Sequence, residues 1–160
     1  MATLSREEKE RAFVAAARKL IGTPFVHQGR VPGVGLDCSG VLAKAADEIG
    51  HPYHDRLDYR RMPSGAALIE GMEKNATRIL PAEVVPGCAF LFWIKREPPH
   101  PNEPRHLAIV SDLGPPMRMI HAYARKGTGH DVGRVEEQEV TENWRHRIHS
   151  AWRFREEGAI

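Results

Sequence analysis

The stretch GVGLDCSGVLAKAADEIG, residues 33–50, joins a glycine-rich irregular segment to an amphipathic helix and puts a cysteine at the junction. From Cys38 onward Val41, Leu42, Ala45 and Ile49 recur at helical spacing until Gly50, which predicts a buried helix over 38–49 with Asp37 at its cap. Upstream, Ser5 and Glu8 form a capping box before a helix whose Phe13, Ala16, Ala17 and Leu20 share one face and which Gly22 stops. The intervening GTPFVHQGRVPGVGL, residues 22–36, is broken throughout by Gly and Pro and reads as an ordered loop that delivers Cys38. Beyond the polar passage HPYHDRLDYRRMP, residues 51–63, a further helix is predicted from Ser64 as N-cap through Leu68, Ile69 and Met72.

The pattern then changes. CAFLFWI (88–94), HLAIVSD (106–112), MRMIHAY (117–123), GRVEEQEV (133–140) and IHSAWRFR (148–155) are short, rich in β-branched, aromatic and apolar residues, and separated by turn formers. Helices first and strands afterwards predict an α+β domain, with N-terminal helices packed on an antiparallel sheet of about five strands. KREPPHPNEPR, residues 95–105, is too proline-rich and polar for core and reads as a surface excursion beside His106, one wall of a groove.

Composition limits the function classes. The chain has 160 residues, 41% of them hydrophobic, which suits one domain over 1–160 with one core. Lys plus Arg (23) nearly balance Asp plus Glu (21) without a concentrated basic stripe, so nucleic acid is not an expected partner. The charged start MATLSREEKERAF lacks the apolar core of a secretory signal, and no apolar run approaches the roughly 20 residues of a membrane span. Synthesis in the cytoplasm without membrane insertion is the expectation. Cys38 and Cys88 read as free thiols rather than a disulfide scaffold.

A helix N-terminus offers a thiol both a positive dipole and free N–H groups, which stabilise a thiolate and, later, the oxyanion formed when it attacks a carbonyl. Taken alone, a cysteine in such a chain is more often a small buried hydrophobe. Two histidines in predicted strands, His106 and His121, supply the base and the orienting partner of a Cys-His-X arrangement, and the combination favours catalysis. A metal site built from His100, His106, His121 and His130 is the weaker reading, because these lack the close paired spacing of zinc ligands. No cofactor is implied. Trp144, Trp152 and Phe154 read as core, and Arg145, Arg147, Arg153 and Arg155 as a solvated face.

At these residues the sequence resembles the NlpC/P60 cysteine peptidases, which share a reduced papain-like fold and cleave peptides of bacterial cell walls. GTPF leading to LDCSGV, then VVPGCAFLFW, HLAIVSD and MIHAY, stand in family order over most of the chain. The resemblance implies Cys38 as nucleophile, His106 as general base and His121 as the residue orienting His106. It implies a murein stem peptide as substrate, cut between γ-linked D-glutamate and diaminopimelate. HQGR after GTPF and the ending WRFR resemble the subgroup found in tailed phages and gene-transfer particles, with phage tail proteins as partners and a virion location. Asp37 and Ser39 are expected at the cap and against substrate, Asp37 holding a peptide amine. Phe25 stands where the family often has an oxyanion-lining Tyr and cannot donate, so His27 or backbone amides would substitute. Cys88 replaces the usual Asp after Pro-Gly and reads as a buried structural thiol. Tyr53, Asp58 and Tyr59 are further candidates for substrate contact by position. The competing readings are a catalytically silent tail-assembly protein, and an amidase or transpeptidase acting on another acyl substrate with the same three residues.

Overall fold

The computed structural model describes residues 2–57, 59, 65–94, 103–126 and 131–156. Asp58, Ser64, His100, His130 and most of the proline-rich excursion lie outside the described residues.

Helix α1 (Arg6–Arg18) starts on the predicted capping box: Glu8 N donates to Ser5 Oγ at 3.2 Å and Ser5 N to Glu8 Oε2 at 2.7 Å. A tight antiparallel pair, β1 (Arg30–Val31) and β2 (Gly35–Leu36), organises the loop before helix α2 (Cys38–Glu48). Helix α3 spans Gly65–Asn75 and buries Leu68 and Met72. Six strands follow in one sheet: β3 (Ala76–Ile79), β4 (Ala89–Phe92), β5 (His106–Asp112), β6 (Arg118–Lys126), β7 (Asp131–Glu139) and, after the short helix α4 (Glu142–Arg145), β8 (Ile148–Phe154). Their order is β3-β8-β4-β5-β6-β7, antiparallel throughout.

The α+β architecture is the predicted one, with six strands rather than about five. The additional strand, ATRI at 76–79, is four residues long, follows α3 without a turn, and lies at the sheet edge against β8. Its two exposed polar residues in the middle give it no recognisable apolar alternation.

Strand alternation divides the core between the two sheet faces. Leu91, Leu107, Ile109, Ile120, Ala122, Val135 and Trp152 pack under the three long helices. Phe90, Phe92, Ala108, Val110, Met119 and Ala151 face the other way, with Val84, Cys88, Val140 and Trp144. Cys88 is fully buried and takes a weak bond from Val85 N, consistent with a structural thiol whose acidity burial suppresses. Two of the arginines expected on a solvated face are instead structural. Arg153 binds Glu10 of α1, with Nε 2.6 Å from Oε1, and Arg155 donates to the Ala76 and Glu73 carbonyls. Among the described residues no helix is long and apolar enough to cross a membrane.

Candidate active site

Asp37 builds the corner at which α2 begins. Its Oδ1 accepts from Gly40 N at 2.8 Å, the N-cap bond that satisfies one of the helix's free donors, and from Arg30 Nη1 at 2.8 Å. Its Oδ2 accepts from Gln28 N at 2.9 Å and from the Tyr59 hydroxyl. Arg30 also grips Asp55 through Nε and Nη2 at 2.8 and 3.0 Å and donates to the Tyr59 oxygen at 2.9 Å. Burial works against the guanidinium charge, but Asp55 and Asp37 outweigh it and hold the group more firmly protonated than an ordinary arginine. Gln28, in the left-handed region at φ 58°, sends its side-chain amide to the Leu57 and Tyr59 carbonyls and ties the 51–59 passage to the loop.

This saturated carboxylate corrects the expectation for Asp37. Four donors fill its acceptor sites and it is 4% exposed, so it is a structural hub rather than a site for a peptide amine. Phe25 is also placed differently from a substrate contact: its ring packs against the core beneath the helices and its N–H donates to Gly133 O. His27 stacks edge-on against Tyr59, ring centres 5.5 Å apart. Of the expected substrate contacts, Ser39, Tyr53 and Tyr59 line a recess at the start of α2, together with Asp55, Arg56 and Leu107.

Cys38 is a free, half-buried thiol at the first turn of α2. The Leu107 amide and the amide and hydroxyl of Ser39 donate toward its sulfur. Val110 N donates to Cys88 O on the β4 side, so by strand alternation the Leu107 amide points toward β6. The β5–β6 ladder begins at Ile109↔Ile120, short of Leu107, and the sulfur occupies the open end of that pair. The donors do not prevail. Burial first, then the adjacent Asp37 carboxylate, push the thiol up from an ordinary value near 9 to about 12. The helix start thus does not give the acidic resting thiolate that its dipole alone predicts, because burial and then a carboxylate on the same cap oppose it.

His106, the residue before Leu107, opens β5 and is 3% exposed; His121 in β6 is 1% exposed. The sequence placed both on strands, and the structure joins them: His106 Nε2 lies 2.7 Å from His121 Nδ1. The rings sit in an aromatic enclosure of Phe92, Tyr123 and Trp144, with Trp144 centred 5.6 Å from His106 and 5.4 Å from His121. Burial, and then the neighbouring His121, hold His106 well below its ordinary value. Burial lowers His121 as well, against the opposing pull of Gln138 and Glu136. His121 Nε2 lies 2.9 Å from Gln138 Oε1 on β7. Sequence reading missed Gln138, Trp144 as an imidazole neighbour, and Arg30. The available signal for Gln138 was the two-residue period of GRVEEQEV, which puts it on the same sheet face as Glu136, the residue directly opposite His121.

Chemically, the chain offers a nucleophile at a helix start whose sulfur takes the amide of Leu107, the residue after His106, a bonded imidazole pair opening from that strand, and the Cys38 amide in the first turn of the helix as an oxyanion donor. Among the described residues no group of three His, Cys, Asp or Glu side chains is placed to hold a metal ion.

Neither a protein-family model nor a curated protein matches the sequence. Solved structures do. A Staphylococcus aureus protein of the NLP/P60 family, described as similar to a lipoprotein, superposes with a TM-score of 0.62 at 19% identity over 96% of this chain and 43% of its own. NlpC1 from Trichomonas vaginalis superposes with a TM-score of 0.61 at 16% identity, over 95% of this chain and 46% of its own. The likeness establishes a shared α+β fold with these NlpC/P60 proteins, and the chain spans less than half the length of either.

Proposed function

We propose that this chain is a cysteine peptidase of the NlpC/P60 type that hydrolyses murein stem peptides, at the bond between γ-linked D-glutamate and diaminopimelate, as a component of a phage tail. The observation that supports the catalytic part is that the Cys38 sulfur takes the amide of Leu107, the residue that follows His106 in the chain, and that the His106 imidazole is bonded to His121. The shared fold supports the peptidase class. The phage location and the stem-peptide substrate follow from the sequence resemblance alone.

The chemistry is acyl transfer. His106 takes the Cys38 proton as sulfur attacks the amide carbonyl, and the Cys38 amide at the helix start receives the developing oxyanion. The imidazolium then protonates the leaving amine, and water, deprotonated by His106, cleaves the thioester to carboxylate and regenerated thiol. Cys38 is held up and His106 held down, which favours a resting neutral thiol and neutral imidazole over a thiolate–imidazolium pair.

The test is mass spectrometry of diaminopimelate-type murein fragments incubated with the protein and with Cys38→Ala. Release of a diaminopimelate-containing peptide by the first protein only supports the reading. Unchanged fragments with both overturn it for this substrate and favour a catalytically silent tail component.

A further inference from the structure

We propose that Gln138 is a positioning residue that sets the direction of the proton pattern through both histidines, and so decides whether His106 presents a base or a donor to Cys38. The proposal rests on the assignment of His106 as the base.

Two hydrogen bonds in series link three side chains: His106 Nε2 to His121 Nδ1 at 2.7 Å, and His121 Nε2 to Gln138 Oε1 at 2.9 Å. A neutral imidazole carries one proton, on either nitrogen, and each bond in the series needs one donor and one acceptor. Only two self-consistent patterns exist. In the first, His121 donates from Nε2 to the Gln138 carbonyl, accepts at Nδ1 from His106 Nε2–H, and leaves His106 Nδ1 as a free lone pair. In the second every bond reverses: His121 Nδ1–H donates to His106 Nε2, and the His106 proton moves to Nδ1, where it can only donate.

A carboxamide oxygen has no proton to give, so the orientation with Gln138 Oε1 at 2.9 Å from His121 is compatible with the first pattern alone, whereas a turned-over amide would present its Nε2–H and require the second. The imidazoles cannot choose by charging, because the enclosure of Phe92, Tyr123 and Trp144 and their own burial keep both neutral. His106 Nε2 is already committed to His121, which leaves Nδ1 as its one nitrogen available for the thiol proton. A residue two strands away from His106 thereby controls the basicity offered to sulfur, in the way that an orienting acceptor fixes an imidazole tautomer in other triads.

The experiment is long-range proton–nitrogen NMR of histidine-labelled protein, which reads the protonated nitrogen of each imidazole directly, paired with the iodoacetamide alkylation rate of Cys38 followed by mass spectrometry. The unsubstituted protein is expected to show His106 and His121 as Nε2–H forms; an Nδ1–H form of His106 would overturn the proposal without any variant. Gln138→Met keeps the volume and removes the acceptor, and is expected to admit the reversed pattern and slow Cys38 alkylation about tenfold or more. Gln138→Glu, read at mildly alkaline pH where His121 stays neutral, is expected to keep the Nε2–H forms and the faster rate. Unchanged tautomers and rate in Gln138→Met would overturn the proposal. Neither readout needs a murein substrate, so correct tautomers without peptide cleavage would sink the peptidase reading while leaving the role of Gln138 standing.

Discussion

Arg30 Nη1 lies 2.8 Å from Asp37 Oδ1, with the two side chains only 12% and 5% exposed. An ion pair this deep gains less than its distance suggests, since both groups surrender hydration, but removing one partner leaves the other charge buried. Asp37→Ala also deletes the N-cap of α2. A loss of about 3–5 kcal/mol in urea unfolding is expected from breaking the buried pair. Arg30→Met retains the bonds from Gly40 N and Gln28 N but leaves the Asp37 carboxylate buried without its cation, and is expected to cost a similar amount. A loss no greater than that of an ordinary surface substitution in Asp37→Ala would show that Asp37 is not the hub of this corner.

The same carboxylate opposes the thiolate, so its neutralisation should separate stability from acidity. In Asp37→Asn the helix can still be capped through the amide oxygen, while the charge beside Cys38 is gone. The thiol, held at about 12 by burial and then by Asp37, is expected to titrate at lower pH in the variant. Thiolate absorbance followed across an alkaline titration reads the shift, with Cys38→Ala as the blank for Cys88. An unmoved or higher midpoint would remove Asp37 as a cause.

Linkage gives a related expectation for the intact protein. Between an ordinary value near 9 and about 12, folded Cys38 keeps its proton while the unfolded thiol has lost it. The folded state then binds more protons, so stability falls as pH rises through that window. Tyr53 and Tyr59, raised mainly by burial, act in the same direction. Cys38→Ala is expected to show a shallower alkaline decline than the parent when urea midpoints are compared across pH, and parallel curves would contradict the buried neutral thiol.

The α2 start and the five long strand segments were legible because local rules decide them: an Asp cap, a helical apolar stripe, and two-residue alternation between turn formers. Helix α4 escaped notice because four residues hold no periodicity; its Thr141 cap, accepting from Trp144 N, was its only mark. Cys38, His106 and His121 stood out by residue type and position. Arg30 and Gln138 did not, because their importance lies in what they touch across 7 and 17 residues of chain, and neither has a distinctive neighbourhood in sequence. The thiol's acidity was misjudged for a similar reason. The dipole argument needs only the helix, whereas the opposing charge and the burial need the whole corner.

Gly40 tests how tightly the nucleophile's helix is seated. A Cβ built there would lie 2.4 Å from the Gly29 carbonyl oxygen, a backbone atom that cannot rotate away. Gly40→Ala must push α2 off the loop, at an expected cost of about 1–3 kcal/mol of the kind seen on overpacking. Because Gly40 is two residues from Cys38, the alkylation rate of the thiol should change with it. A variant as stable and as reactive as the parent would mean that the loop yields freely.

The imidazole pair predicts the acid side of the stability curve. Folded His106 sits well below its ordinary value of 6.5, first through burial and then through His121, so below that pH the unfolded chain binds a proton that the folded one refuses. Stability is therefore present above about 6.5 and declines as pH falls toward the folded value. His121 contributes in the same sense, moderated by the Gln138 bond and by Glu136. His106→Gln, neutral throughout, is expected to flatten this decline relative to the parent, even if it lowers the plateau. Trp144→Ala should act differently. Opening the enclosure admits water to both rings, raises their protonation, and costs about 3–5 kcal/mol for a buried tryptophan. Its plateau should drop while its acid decline begins at lower stability but proceeds less steeply. Circular-dichroism urea titrations from neutral to acid pH read both variants, and an acid slope unchanged in both would place the acid sensitivity in groups other than the histidine pair.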